Sequence, residues 1–227
     1  MHHLRLRYGN PLLDPAARVW AGASTACCAV IVVVLGVIFA HQTGADGFDH
    51  AVDSPVITWL DRHPGLAVWL AFPGSLHAAL PLIAAIVVGC LLARRLNGAV
   101  LAAVAVPAAV GVNDGLCKPL FHRTYLGILS YPSGHTATVS ALAATLVILL
   151  YVPPRSAKAR VARVVVWSAA WAAAVVVAAG VIGLRWHYFT DTVAGAAVGT
   201  GTACGLALLL DLPARLRRPA KPDVPAG

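Results

Sequence analysis

Six long apolar runs, at approximately 19–40, 70–93, 98–117, 136–152, 164–184 and 192–210, set the rhythm of the chain, with polar residues gathered between them. A membrane-crossing helix needs roughly 20 apolar residues, so the pattern predicts six spanning helices. The first run follows Arg18 and reaches His41 uninterrupted. A signal-peptide core is only about 7–15 residues long, and this run therefore reads as a retained span. The second is broken by Pro73, Gly74, His77 and Pro81. The stretch ahead of it, from Phe48 to Leu70, reads as an interfacial helix with Trp59 and Trp69 near the lipid headgroups.

Composition strengthens the membrane reading. A hydrophobic share of 59%, a charged share of 11% and a mean hydropathy of +0.78 do not describe a soluble domain. All nine acidic residues are Asp, so the Glu/Lys pairs of water-facing helices are missing. Fourteen Arg against three Lys, in an Ala/Val/Gly-rich background, suggests a GC-rich bacterial genome. The formal charge of +8 would suggest nucleic acid in a soluble protein. Here the cations lie in short clusters between apolar runs, where they set topology, and no nucleic-acid partner is expected. Cys27, Cys28, Cys90, Cys117 and Cys204 show no CxxC spacing and read as small buried residues rather than metal or disulfide positions.

Alternate loops carry the positive charge. Arg5, Arg7 and Arg18, then Arg94 and Arg95, then Arg155, Lys158, Arg160 and Arg163, then Arg215, Arg217, Arg218 and Lys221 place thirteen of the seventeen basic residues on one side. That side is cytoplasmic by the positive-inside rule and takes both termini. The other side holds Arg62, Lys118, Arg123 and Arg185 with the acidic cluster Asp46, Asp49, Asp53 and Asp61. Gly195, Gly199, Gly201 and Gly205 in the last run form small-xxx-small pairs, expected to pack helices within the molecule, with homodimerisation the second reading.

The chemistry sits in two of the outer loops. In KPLFHRTYLGILSYPSGHT, Lys118 and Arg123 precede Pro132-Ser133-Gly134-His135, which runs directly into an apolar segment. Ser133 is placed to cap the fourth span, whose free N–H groups and positive dipole end form an anion site. Gly134 lets backbone approach an oxyanion, and Lys118 and Arg123 supply a point charge and a forked donor suited to phosphate. In LRWHYFTDT, His187 and Asp191 lie four apart, so the carboxylate can fix one imidazole nitrogen and leave the other as nucleophile or base. Arg185 stands two residues before His187 and can join the clamp. Three cations near this pair attract an anion rather than a divalent metal. Asn113 and Asp114 either line the site or form structural hydrogen bonds.

These segments resemble the three signature motifs of the type 2 phosphatidic acid phosphatase (PAP2) superfamily: K-x6-R-P, then P-S-G-H, then S-R-x5-H-x3-D. PSGH at 132–135 and His187-x3-Asp191 match. The first motif is compressed to Lys118-x4-Arg123 followed by Thr124, and the Ser-Arg positions of the third hold Gly180 and Val181. The resemblance implies an all-α integral membrane protein, a six transmembrane helix bundle of the PAP2 type. Residues 1–18 would be a cytoplasmic segment, 19–211 the six-span domain and 212–227 a cytoplasmic tail of disordered composition. It further implies a lipid phosphate or diphosphate phosphatase, acting on phosphatidate, phosphatidylglycerol phosphate or a polyprenyl phosphate at the outer membrane face, with no cofactor or metal. His187 would attack phosphorus, Asp191 orient its ring and His135 serve as acid and base. Lys118, Arg123, Arg185, Ser133 and Gly134 would bind phosphate. A lipid phosphotransferase and a non-catalytic lipid-binding relative are the alternatives.

Overall fold

The apolar runs become helices in the computed structural model, which describes residues 11–63, 65–151 and 156–216. Arg5, Arg7, Arg155, Arg217, Arg218, Lys221 and the tail from 217 onward lie outside the described residues, as does the side chain of Arg215. In chain order the helices are α1 (Pro15–Ile38), α2 (Gly47–Asp61), α3 (Leu66–Ala71), α4 (Leu76–Leu92), α5 (Leu96–Val110), α6 (Lys118–Phe121), α7 (Gly134–Leu149), α8 (Ala157–Gly183) and α9 (Phe189–Leu216). A two-stranded hairpin, β1 (Thr124–Tyr125) and β2 (Ile128–Leu129), lies between α6 and α7. Many of the helices start at a side chain that takes up an orphan backbone N–H. Asp14 caps α1, Asp46 α2, Ser75 α4, Ser133 α7 and Ser156 α8.

Among the described residues, four helical stretches are long and apolar enough to cross a bilayer: α1, the continuous run Leu96–Phe121, α8 and Phe189–Leu212 of α9. A fifth is the pair Leu66–Gly74 and Leu76–Leu92, bent by 41° at the Phe72–Gly74 turn where the sequence places Pro73. The expected count of six is not met on length. The fourth apolar run forms α7, whose 16 residues extend only about 24 Å, short of the roughly 30 Å hydrocarbon core. Its position explains this: twelve of the sixteen residues are buried, so α7 is the central helix against which the others pack. Several boundaries also move, the largest at α8, which begins at Ala157 rather than 164. The second run starts at Leu66 rather than 70, and α1 begins at Pro15, which brings Arg18 into the helix.

The tightest packing is between α7 and α9. A Cβ on Gly195 would collide with the Ser133 carbonyl and Thr136 Oγ1, and one on Gly199 with the Ala137 carbonyl. Gly201 faces α1, where a Cβ would come within 2.9 Å of Cys28. The glycine stripe thus brings α9 against both α7 and α1 inside one molecule. At the end of the bundle away from the hairpin, Asp211 of α9 accepts from Leu12 N (2.7 Å), Leu13 N (3.1 Å) and the Arg18 guanidinium (3.2 Å), tying the start of α1 to the last helix. At the hairpin end, α2 lies across α8 and α9 and buries Asp49, Asp53 and Leu60.

Candidate active site

The site is assembled where α7 and α9 begin. Ser133 is fully buried, and its Oγ faces Thr136 N at 3.5 Å, while its own N–H donates to the Asp191 carbonyl at 2.9 Å. That bond locks the two helix starts together and sets His135 near His187. Gly134 and His135 line a cavity of about 780 Å³ together with Lys118, Arg185 and His187. The His135 ring lies 5.4 Å from that of Trp186. A Cβ on Gly134 would meet nothing closer than 3.7 Å. The glycine there leaves backbone open to the cavity; its neighbours do not require it.

His187 is buried to 8% exposure at the cavity wall. Its Nδ1 lies 2.7 Å from the Ser130 carbonyl and 3.8 Å from Asp191 Oδ2. A carbonyl oxygen only accepts, so Nδ1 carries the proton and Nε2 holds the lone pair. The ring is therefore oriented chiefly by the Ser130 backbone, where the sequence reading expected Asp191. Asp191 accepts instead from Arg123 Nη1 at 2.7 Å and from Tyr188 N at 3.0 Å, and shapes the turn that carries His187.

Arg123 departs furthest from expectation. It was expected on the phosphate, but its side chain is wholly buried and does not line the cavity. Its guanidinium is sandwiched between the Phe39 and Tyr188 rings at 4.4 and 4.3 Å and bonds Asp49, Thr190 and Asp191. Two carboxylates neutralise it, which is what a buried guanidinium requires. Asp49 also accepts from Thr190 N and Oγ1, both at 2.9 Å, and Asp53 from Phe189 N at 3.1 Å. The acidic residues of α2 thus take up the first N–H groups of α9. Burial, then the neighbouring Asp49 charge, pushes the Asp53 carboxyl up to about 7.

The cations that do face the cavity already hold counter-ions. Lys118 Nζ lies 2.8 Å from Asp114 Oδ1, one turn earlier across the π-helical segment Gly111–Cys117. Asn113 donates to that same oxygen and to the Pro132 carbonyl, joining this segment to the PSGH loop. Arg185 ends α8 in the left-handed region (φ 57°), and the N–H groups of Arg185 and Trp186 return to Ile182 and Val181. Its guanidinium grips Asp61 with two bonds of 3.0 and 2.7 Å. The hydrogen bonds from Arg185 hold the Asp61 carboxyl below its usual range and raise the guanidinium in return.

The structure therefore brings Lys118, Gly134, His135, Arg185 and His187 to one cavity and sets Arg123, Ser133 and Asp191 behind it. Sequence reasoning missed the Ser130 carbonyl, which no side-chain pattern encodes. It also left Asp49, Asp53 and Asp61 as mere loop charge, although their spacing in fours and eights marks one helix stripe. Tyr125, seven residues after Lys118, occupies the place of the first-motif arginine and lines the cavity. Among the described residues, no group of three or more His, Cys, Asp or Glu side chains is arranged to hold a metal.

The chain is thus an apolar helical fold that brings His135 and His187, with the cations Lys118 and Arg185, to one cavity. The family model described as the PAP2 superfamily matches residues 116–213, the stretch that holds Lys118, His135 and His187. The fold resembles the crystal structure of the first transmembrane PAP2 type phosphatidylglycerolphosphate phosphatase from Bacillus subtilis. The match has a TM-score of 0.65 at 18% identity and covers 86% of this chain and 98% of that one. No curated protein sequence matches the chain.

Proposed function

We propose that the protein is a membrane phosphatase that removes the phosphate or diphosphate of a lipid through a phosphohistidine, without a metal. The observation that carries this reading is His187, whose Nδ1 is held at 2.7 Å by the Ser130 carbonyl in a cavity shared with His135 and Lys118. Nε2 attacks the terminal phosphorus, and its bond to the leaving oxygen, the lipid's own in a monophosphate or the bridging oxygen in a diphosphate, breaks as His135 protonates that oxygen. Water, deprotonated by the now neutral His135, then attacks phosphorus; the P–N bond breaks and inorganic phosphate leaves. Lys118, Arg185 and the backbone at Gly134 stabilise the charge on the phosphoryl oxygens. Arg123 and Asp191 act from behind, by holding the turn that carries the nucleophile.

The reading extends to the frame. The protein's frame in this reading is six crossings, with α7 as a short fourth span inside the bundle, both termini in the cytoplasm of a bacterial cell and the cavity on the far side, which the loop charges support. Phosphatidylglycerol phosphate, the substrate class in the structural neighbour's name, joins phosphatidate and polyprenyl phosphates as the substrates to try. The experiment is phosphate release by the purified protein from such a panel in EDTA, beside His187→Ala, with acid quench to trap phosphorylated protein. Turnover in EDTA, its loss in the variant and an acid-labile phosphoprotein in the wild type are expected. Metal dependence, or a variant as active as the wild type, defeats the proposal.

A further inference from the structure

The hairpin between Arg123 and Ser130 pairs Thr124 with Leu129 and Tyr125 with Ile128, leaving Leu126-Gly127 as a two-residue turn. Both turn residues are left-handed, at φ 49° and 82°, and a turn of that kind favours Asn-Gly. Gly127 fits at no steric cost. Leu126 does not: its Cβ disfavours this region, and its side chain is 81% exposed. Ile128 beside it is 74% exposed. The tip thus combines an unfavourable backbone with two unburied aliphatic side chains, and a polar residue would relieve both.

An apolar occupant accounts for the choice. Leu126 and Ile128 line the same cavity as Lys118, His135 and His187, with Leu76, Val110 and Leu184 on other walls. The cavity lining is therefore both cationic and aliphatic. We propose that the tip of this hairpin recognises the hydrocarbon chain of the substrate, gripping the carbons that follow the phosphoester. The inference rests on the phosphatase reading above. It assigns the tip to a single lipid chain: a chain joined to a phosphate at His187 leaves the cavity past these walls, whereas general adhesion to the bilayer would not need the tip in the cavity.

The test is Leu126→Asn, which suits the left-handed turn, and Ile128→Thr, which keeps β propensity; the folding of both is checked by thermal melting. kcat/KM is measured in detergent micelles on phosphatidates with acyl chains of four, eight and eighteen carbons. The expected result is a loss that grows with chain length, reaching on the order of tenfold for the longest, and that appears in KM rather than kcat. A loss equal at all three lengths, or no loss in either folded variant, overturns the assignment. Where phosphatidate is not turned over, the same chain-length series is run on the lipid class of the panel that is; a wild type inert on every class overturns the phosphatase reading instead, and the hairpin assignment with it.

Discussion

His187 owes its orientation to a carbonyl and Asp191 owes its own to a guanidinium, so replacing either neighbour acts through a different force. Asp191→Asn keeps the Ser130 bond to His187 Nδ1 but leaves Arg123 with one carboxylate in a buried setting. Asp49 still balances the guanidinium, so what is lost is a buried charge-assisted hydrogen bond, about 1.5–3 kcal/mol. The expected outcome is a large fall in thermal stability together with a fall in kcat; a residue that served only to orient the ring would lower kcat alone. Arg185 behaves oppositely, because its pair with Asp61 is about half exposed and exchangeable. A phosphate entering the cavity competes with Asp61 for that guanidinium. Asp61→Asn should therefore lower KM for a lipid phosphate, by at most about fivefold, whereas Arg185→Ala should raise it. Steady-state kinetics on the two variants check both signs.

At the scale of the element, α2 is the surprise. Its acidic stripe bonds the end of one helix and the start of the next: Asp61 the turn after α8, Asp49 and Asp53 the first turn of α9. Asp53 makes this contact sensitive to pH. Its carboxyl is raised to about 7 in the folded protein, while in the unfolded chain it titrates near 4. The folded state then holds a proton that the unfolded state has lost, so this group's contribution to stability declines as pH rises from about 4 to about 7. Melting temperatures should fall across that window in the wild type and fall less in Asp53→Asn, which a thermal shift series from pH 5 to pH 8 measures. The sequence exposed the spacing of these aspartates but not their destination. Periodicity places residues on a helix face, and only tertiary packing decides what that face meets. The same reason separates PSGH and His187, legible as motifs because their chemistry is local, from Arg123, whose partners lie 68 and 74 residues away.

For the whole molecule, the six apolar runs and the motif order were readable, since hydropathy and loop charge are summed along the chain. The shortness of α7 was readable as well, in the run 136–152, but its enclosure by the other helices was not, because packing alone decides which helix sits at the centre. The close approach of α7 and α9 is the feature on which the site depends, since one carries His135 and the other starts two residues after His187. Gly199→Ala inserts a Cβ against the Ala137 carbonyl. Overpacking of this kind typically costs about 1–3 kcal/mol. Activity should fall in step with the melting temperature, and a variant that melts as the wild type does while losing activity would contradict a packing cause.

The clasp of Asp211 on Arg18 and the Leu12–Leu13 backbone bears on how the chain is made. The two ends of that clasp are 193 residues apart. At ordinary synthesis rates about 10–40 s separate their emergence from the ribosome. During that interval Arg18 has no carboxylate from α9, and the first helix must rest at the water boundary with a bare cation. The clasp closes only when α9 arrives, so it is a late event that any chain stopped before Asp211 cannot reach.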